Sequence, residues 1–254
     1  MEALDLQAFE RGPLATPHGF SPRSGGVSAA PYASLNLGAS VGDAAPAVAE
    51  NRRRVRAAFG VPEARWMTAR QVHGAQVLVA GRDPAGAEGD ALVADDPAWA
   101  LAISAADCLP VLLLDARTGA VGAAHAGWRG AVAGVVGATL EVMATRFGTA
   151  ASDVRAWLGP AIQGACYQVG PEVVDAAIAA GAPEDAVHPD PGVAGRWRFD
   201  VPALVRAQLI AAGVPAGAVA VSATCTHCAA DRCFSHRRDA GRTGRHWAVL
   251  RPLG

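Results

Sequence analysis

Residues 100–130, ALAISAADCLPVLLLDARTGAVGAAHAGWRG, constrain the fold of this chain more than any other stretch. The segment reads as apolar strands joined by a short turn at Arg117-Thr118-Gly119. Each apolar run is too short, and too tightly bounded by turn residues, for a helix. Asp107 and Cys108 stand where the second run starts. His125 closes the next run and is followed by a Gly127-Trp128-Arg129-Gly130 turn and a helix. A thiol and an imidazole at neighbouring strand ends make poor core filler, so this pair is read as the seat of the chemistry.

Composition narrows the function classes. At 254 residues the chain is read as one domain spanning 1–254, and at 51% hydrophobic residues it can bury a sizeable core. A net charge of −1 gives no basic field for nucleic acid. All 22 basic residues are arginine, which excludes a Schiff-base lysine and a P-loop ending in Gly-Lys-Ser/Thr. No signal pattern opens the chain and no run reaches membrane-spanning length, so a cytoplasmic protein with five reduced cysteines is expected. Monomer and homodimer both stay open.

Along the chain, residues 26–38 read as extended, with Leu35 and Leu37 facing one way and Asn36 the other. A helix is expected from Asp43 and Pro46 to Phe59, capped by Gly60. Arg52 falls on its apolar stripe of Val48, Val55 and Phe59, and an inward arginine needs an anion or a carboxylate such as Asp43 or Glu50. Strands are expected near 66–72, 76–79 and 91–93, with His73 and Asp90 at strand ends. Residues 130–147 read as one buried helix, apolar nearly all round, and 183–195 as a surface loop. Further strands are expected at 154–158, 219–222 and 246–250, with helices at 171–180 and 202–212.

Three clusters could carry chemistry. His73, Cys108 and His125 would form a three-ligand metal centre with one open position, as in catalytic zinc sites, where a bound water ionises near pH 7 (about 7). The same atoms could instead provide a cysteine–histidine nucleophilic pair. Cys225, Cys228, Cys233 and His236 have the spacing of a closed structural zinc site, or are packed and incidental thiols. Arg237, Arg238, Arg242 and Arg245 could hold phosphate, or form a solvated loop.

The motifs SLNLG, ENRRR, QVHG, GDALV, ADCLPVLLLD, AAHAGWRG, LGPAI-x3-CY-x-VG and FSHRRD…TGR occur in that order. Together they closely resemble the bacterial purine nucleoside phosphorylase family, also known as laccase-domain or multicopper polyphenol oxidoreductase proteins. The resemblance implies an α+β fold, a four-layer α-β-β-α sandwich with mixed sheets, shared with cysteine hydrolases. It implies one zinc ion on His73, Cys108 and His125, and a ligand pocket involving Asn36 and Arg52. It implies phosphorolysis of adenosine, inosine and 5′-methylthioadenosine, with deamination of adenosine. Asp90 or Asp107 would then move protons, and Arg52 with Arg245 would hold phosphate. One departure is Cys233-Phe234-Ser235, where the family usually has two aromatics before the serine.

Other readings stay open. Copper-dependent phenol oxidation is disfavoured, because none of the seven histidines forms the paired His-x-His motifs of multicopper oxidases. Related proteins are also described as peptidoglycan editing factors, which hydrolyse a wrongly added serine from a UDP-muramyl precursor. A nonenzymatic binding module would require the metal-site residues to be dispensable.

Overall fold

Alternation of apolar residues along the central strands divides the core into three slabs. The computed structural model describes residues 4–253. In chain order these form β1 (His18–Phe20), α1 (Ala45–Phe59), β2 (Trp66–Met67), β3 (Val77–Val79), β4 (Ala91–Ala94), β5 (Ala100–Ala105), β6 (Leu109–Asp115) and β7 (Val121–Ala126). There follow α2 (Trp128–Val132), α3 (Val135–Phe147), β8 (Val154–Leu158), β9 (Gln168–Val169), α4 (Pro171–Ala179), β10 (Val187–Pro189), β11 (Trp197–Phe199), α5 (Val201–Ala211), β12 (Val219–Val221) and β13 (His246–Leu250).

Two mixed sheets face each other. One has the order β1-β13-β5-β2 and the other β12-β8-β6-β7-β4-β3. On β6, Leu109, Val111 and Leu113 pack toward α3, α4 and α5. Leu112 and Leu114, one register away, pack against Leu101 and Ile103 of β5 and Leu250 of β13 in the slab between the sheets. The opposite face of the four-stranded sheet, with Ala100, Ala102, Trp247 and Val249, packs against Val55 and Phe59 of α1. The order of layers is therefore helices, sheet, sheet, helix, the sandwich that the motifs imply.

This topology positions the site. β5 lies in one sheet and β6 in the other, so Ala106, Asp107 and Cys108 form a crossing between layers. β2 and β3 are divided in the same way, and His73 lies on the crossing between them. β6 and β7 form the expected antiparallel hairpin, which pairs His125 with Pro110.

Several local expectations need correction. Residues 26–38 carry no strand, although Leu35 and Leu37 are fully buried as the alternation requires. The expected helix over 130–147 is two helices, broken at Gly134 with φ +77°. It is also apolar-buried on one face only, through Val135, Val136, Leu140 and Met143. The strand expected over 66–72 stops at Met67. The loop 183–195 contains β10, which pairs with β11 and β9 in a small third sheet. Among the described residues no helix is long and apolar enough to cross a membrane.

Candidate active site

His73, Cys108 and His125 converge where the two sheet crossings meet the end of β7. One donor atom from each lies within 4.8 Å of the others. Cys108 Sγ is 3.8 Å from His73 Nε2, and the two imidazole rings meet edge to face with centroids 4.8 Å apart. Gly127 makes room for them. A Cβ on it would fall 2.8 Å from His73 Cδ2 and 3.0 Å from Cys108 Sγ.

One buried carboxylate orients two of the three. His73 has φ +64°, a conformation that β-carbon-bearing residues rarely adopt. Its turn wraps Asp90. Oδ2 accepts the backbone N–H groups of Val72 and Gly74 at 3.1 and 2.7 Å, and Oδ1 accepts that of His73 at 2.9 Å. Such a ring of successive amides is a preformed anion seat. The same Oδ1 lies 2.9 Å from His125 Nδ1. In the neutral ring that contact places the His125 proton on Nδ1 and leaves the Nε2 lone pair for a metal. Burial opposes ionisation of Asp90, but the hydrogen bond from His125 and the amide bonds outweigh it and lower its pKa.

Without a metal, Cys108 and His125 form a thiolate–imidazolium pair, and a cation would displace the imidazolium proton. Burial works against a Cys108 thiolate, yet the charges and hydrogen bonds of His125 and His73 bring its pKa down to about 6. Burial likewise opposes charging His125, but Cys108 and Asp90 together raise its pKa to about 9. Two nitrogen donors and one readily formed thiolate match the preferences of Zn²⁺. The geometry therefore fits the metal that the motifs imply.

The centre opens into a cleft of about 580 Å³ that Arg52, Tyr167, His236, Arg237 and Arg245 also line. Arg52 does not take the structural ion pair considered from sequence. Glu50 pairs with Arg53 and Arg54, and Asp43 accepts from Ser28 and Asn36. Arg52 Nε donates to Leu37 O at 2.9 Å, and its guanidinium lies 5.1 Å from the Trp247 ring centroid. Among the described residues the Arg245 side chain donates only to the carbonyls of Thr243 and Gly244. Burial lowers the pKa of both arginines. Among the described residues neither forms a salt bridge, nor does Arg237 in the same cleft, and the anionic groups that act on Arg245 there are Asp107 and Cys108.

Asn36 is fully buried and reaches the cleft through others. Its Oδ1 accepts from Gly38 N and Arg245 N, each at 2.9 Å, and its Nδ2 donates to Asp43 at 2.8 Å. Asp107 has φ +85° and accepts from Thr226 Oγ1 at 2.6 Å, Ser235 Oγ at 3.0 Å and Arg237 N at 2.7 Å. It ties the Cys108 crossing to the C-terminal loop.

The basic cluster divides. Arg237 lines the cleft, stacked at 5.0 Å over Tyr167, whereas Arg238 pairs with Asp239 and donates to the carbonyls of Thr226 and Cys233. The tight zinc set read from sequence does not form. Cys233 is 3% exposed in the slab between the sheets, and His236 faces the cleft. Cys225 and Cys228 meet Cys166 instead.

Two residues escaped the sequence reading. Tyr167, within CY-x-VG, presents its ring to the cleft, and burial pushes its phenol up to about 12. Asn51, next to Arg52, accepts from Val27 N and donates to Ser28 Oγ, Ser34 O and Asn36 O, which holds the 26–38 segment against α1. A buried asparagine at the head of an arginine run carries no periodic signal.

Residues 17–251 match the family model described as multi-copper polyphenol oxidoreductase laccase. The chain belongs to that family. It is 44% identical over 250 residues to a Deinococcus radiodurans protein named purine nucleoside phosphorylase, covering 98% of this chain and 94% of the relative. The Geobacillus stearothermophilus purine nucleoside phosphorylase YlmD is 38% identical over 242 residues, covering 91% of this chain and 88% of that one. The crystal structure of YlmD from Geobacillus stearothermophilus superposes with a TM-score of 0.88 at 34% identity, covering 97% of this chain and 99% of that one. Members of this laccase-like family thus share the sandwich on which this cleft is built.

Proposed function

We propose that this chain is a zinc-dependent purine nucleoside phosphorylase acting on adenosine, inosine and 5′-methylthioadenosine, with a second activity as an adenosine deaminase. The observation that carries it is one cleft joining a three-donor cluster able to hold a metal to guanidiniums, Arg52 and Arg245 among them, that lack carboxylate partners. Its volume, about 580 Å³, suits a small ligand. The names of the relatives supply the substrate class.

In phosphorolysis a phosphate oxygen forms a bond to ribose C1′ as the C1′–N9 bond breaks, and the leaving purine takes up a proton. Arg52 and Arg245 hold and orient the phosphate by forked, charge-assisted hydrogen bonds. Asn36 fixes the Arg245 backbone, and Asp107 holds the Cys108 crossing. His73, Cys108 and His125 would hold the zinc, which supplies Lewis acidity and an activated water when bound. Asp90 keeps the His125 proton on Nδ1 as charge shifts in the site. The whole chain acts as one domain in this reading.

A specific observation favours a second reading. A thiol with a pKa near 6 beside an imidazole is also a competent nucleophile, suited to amide hydrolysis of a peptidoglycan precursor. Copper oxidation of phenols finds less support, since only two groups of converging donors occur among the described residues and neither has more than two histidines.

The deciding experiment incubates metal-analysed protein with adenosine, with and without phosphate. Phosphate-dependent release of adenine and ribose 1-phosphate is expected, with inosine formed in either condition. No product in either condition would overturn the nucleoside reading and favour the precursor amide.

A further inference from the structure

Cys166, Cys225 and Cys228 form a second gathering of donors, and the cleft does not use it. Their sulfurs lie within 4.8 Å of one another, and Cys166 Sγ is 3.3 Å from Cys228 Sγ. The three come from two loops held together by backbone. Thr226 N donates to Ala161 O, and Cys225 bridges Ala161 in parallel. Cys166 closes a turn by donating its N–H to Gln163 O at 2.8 Å, and Gln163 N approaches Cys225 Sγ at 3.5 Å.

Packing alone does not account for this arrangement. Cys233, the thiol that does act as a small apolar side chain, sits 3% exposed inside a core cluster. Cys166 and Cys225 are half-exposed, Cys228 is exposed, and none of them belongs to a core cluster. Tetrahedral zinc with Zn–S bonds of about 2.3 Å places its sulfurs about 3.8 Å apart, within the span observed here. Cys225 and Cys228 have the Cys-x2-Cys spacing of structural zinc sites, and the backbone amides of His227 and Cys228 within that turn are directed at Cys225. Soft thiolates select d10 cations.

We propose that Cys166, Cys225 and Cys228 bind a second zinc ion, with the fourth position left to solvent. Each thiol gives up its proton to solvent as the metal enters. The site clamps the turn that carries Tyr167 to the C-terminal loop that carries Thr226, and so holds one wall of the cleft from outside.

The test is zinc stoichiometry, independent of any turnover assay. Protein purified under reducing conditions is stripped with chelator, titrated with Zn²⁺ and freed of excess ion. Two zinc ions per chain are expected for the parent, one for Cys228→Ser and one for His125→Ala. With Co²⁺ in place of zinc, thiolate-to-cobalt charge transfer should fall severalfold in Cys228→Ser and persist in His125→Ala. Cys228 is exposed, and an unchanged melting curve of the stripped variant shows that it folds. A single zinc in the parent, unchanged by Cys228→Ser, would overturn the proposal. So would a mass 2 Da (about two hydrogens) below the reduced value in fresh protein, which marks a disulfide in place of the site.

Discussion

Asp90 Oδ1 accepts from His125 Nδ1 and from the backbone of His73, each at 2.9 Å, so one oxygen orients two of the three donors in the candidate metal centre. The carboxylate has no spare capacity, because Oδ2 takes Val72 N and Gly74 N. Asp90→Asn would turn an amide NH2 toward two of these four donors. Metal affinity is expected to fall about 10- to 100-fold, the usual cost of removing such a partner, with the fold retained. Chelator competition measures it, and unchanged affinity would show that Asp90 orients neither ligand.

Gly127→Ala tests the packing of the same centre from the other side. The new methyl would sit 2.8 Å from His73 Cδ2, closer than carbon atoms approach, so the ring has to move. A displacement near 1 Å (about that size) at a reacting centre costs about 100-fold. A drop of that order in kcat/KM, with little change in melting temperature, is expected.

In metal-stripped protein, Cys108 should be the fast-reacting thiol. With its pKa at about 6, its alkylation by iodoacetamide should reach half-maximal rate near that pH. Cys233, whose thiol burial pushes up to about 11, should stay inert below pH 9 (about two units under that value). Added Zn²⁺ should protect Cys108, and His125→Ala should move its profile upward. Peptide mass spectrometry across a pH series reads all three.

Arg52→Ala and Arg245→Ala test the proposed phosphate clamp separately from the proposed purine site. Each removes a charge-assisted partner worth about 1.5–3 kcal/mol, so KM for phosphate should rise about 10- to 100-fold. KM for adenosine should change far less. Deamination consumes no phosphate and should survive both substitutions. Equal loss of both activities would place the arginines on the nucleoside.

What could be read from the chain depended on range. Short apolar runs located β8 and β13 to within a residue, and Gly60 marked the end of α1 because its φ of +64° suits glycine. The break at Gly134 was hidden, since apolar residues continue through it and only the backbone turns. β1 was missed because three residues carry too little alternation to register. In the cleft, motif resemblance brought His73, Cys108 and His125 together, which no local spacing could do. Cys166 as the partner of Cys225 and Cys228 was out of reach for the opposite reason. The nearby Cys233 completed a plausible zinc pattern in sequence, while its strand-side burial removed it in space. The anion seat around Asp90 joins residues 16 to 35 positions apart through hydrogen bonds that residue types do not announce.

His246 predicts how the fold responds to acid. It is fully buried, with Nε2 accepting Phe234 N at 2.7 Å and Nδ1 donating to Ser21 O at 2.8 Å, so both ring nitrogens serve the neutral form. Burial is the main cause that drives its pKa from 6.5 down to about 3. The unfolded chain therefore binds a proton below pH 6.5 that the folded chain refuses until about pH 3, and stability must fall with pH across that window. The slope approaches about 1.4 kcal/mol per pH unit, so from pH 7.5 to 5.5 His246 by itself should cost about 1.4 kcal/mol, or about 3–6 °C in Tm, against the opposite contribution of His125, whose pKa is raised. His18, also lowered mainly by burial, adds to the same side. The specific readout is the His246 Cε1 proton in an NMR titration. Its shift should stay flat to pH 4.5 (about two units below 6.5), and a midpoint near 6.5 would show that the ring is hydrated rather than locked between Ser21 and Phe234.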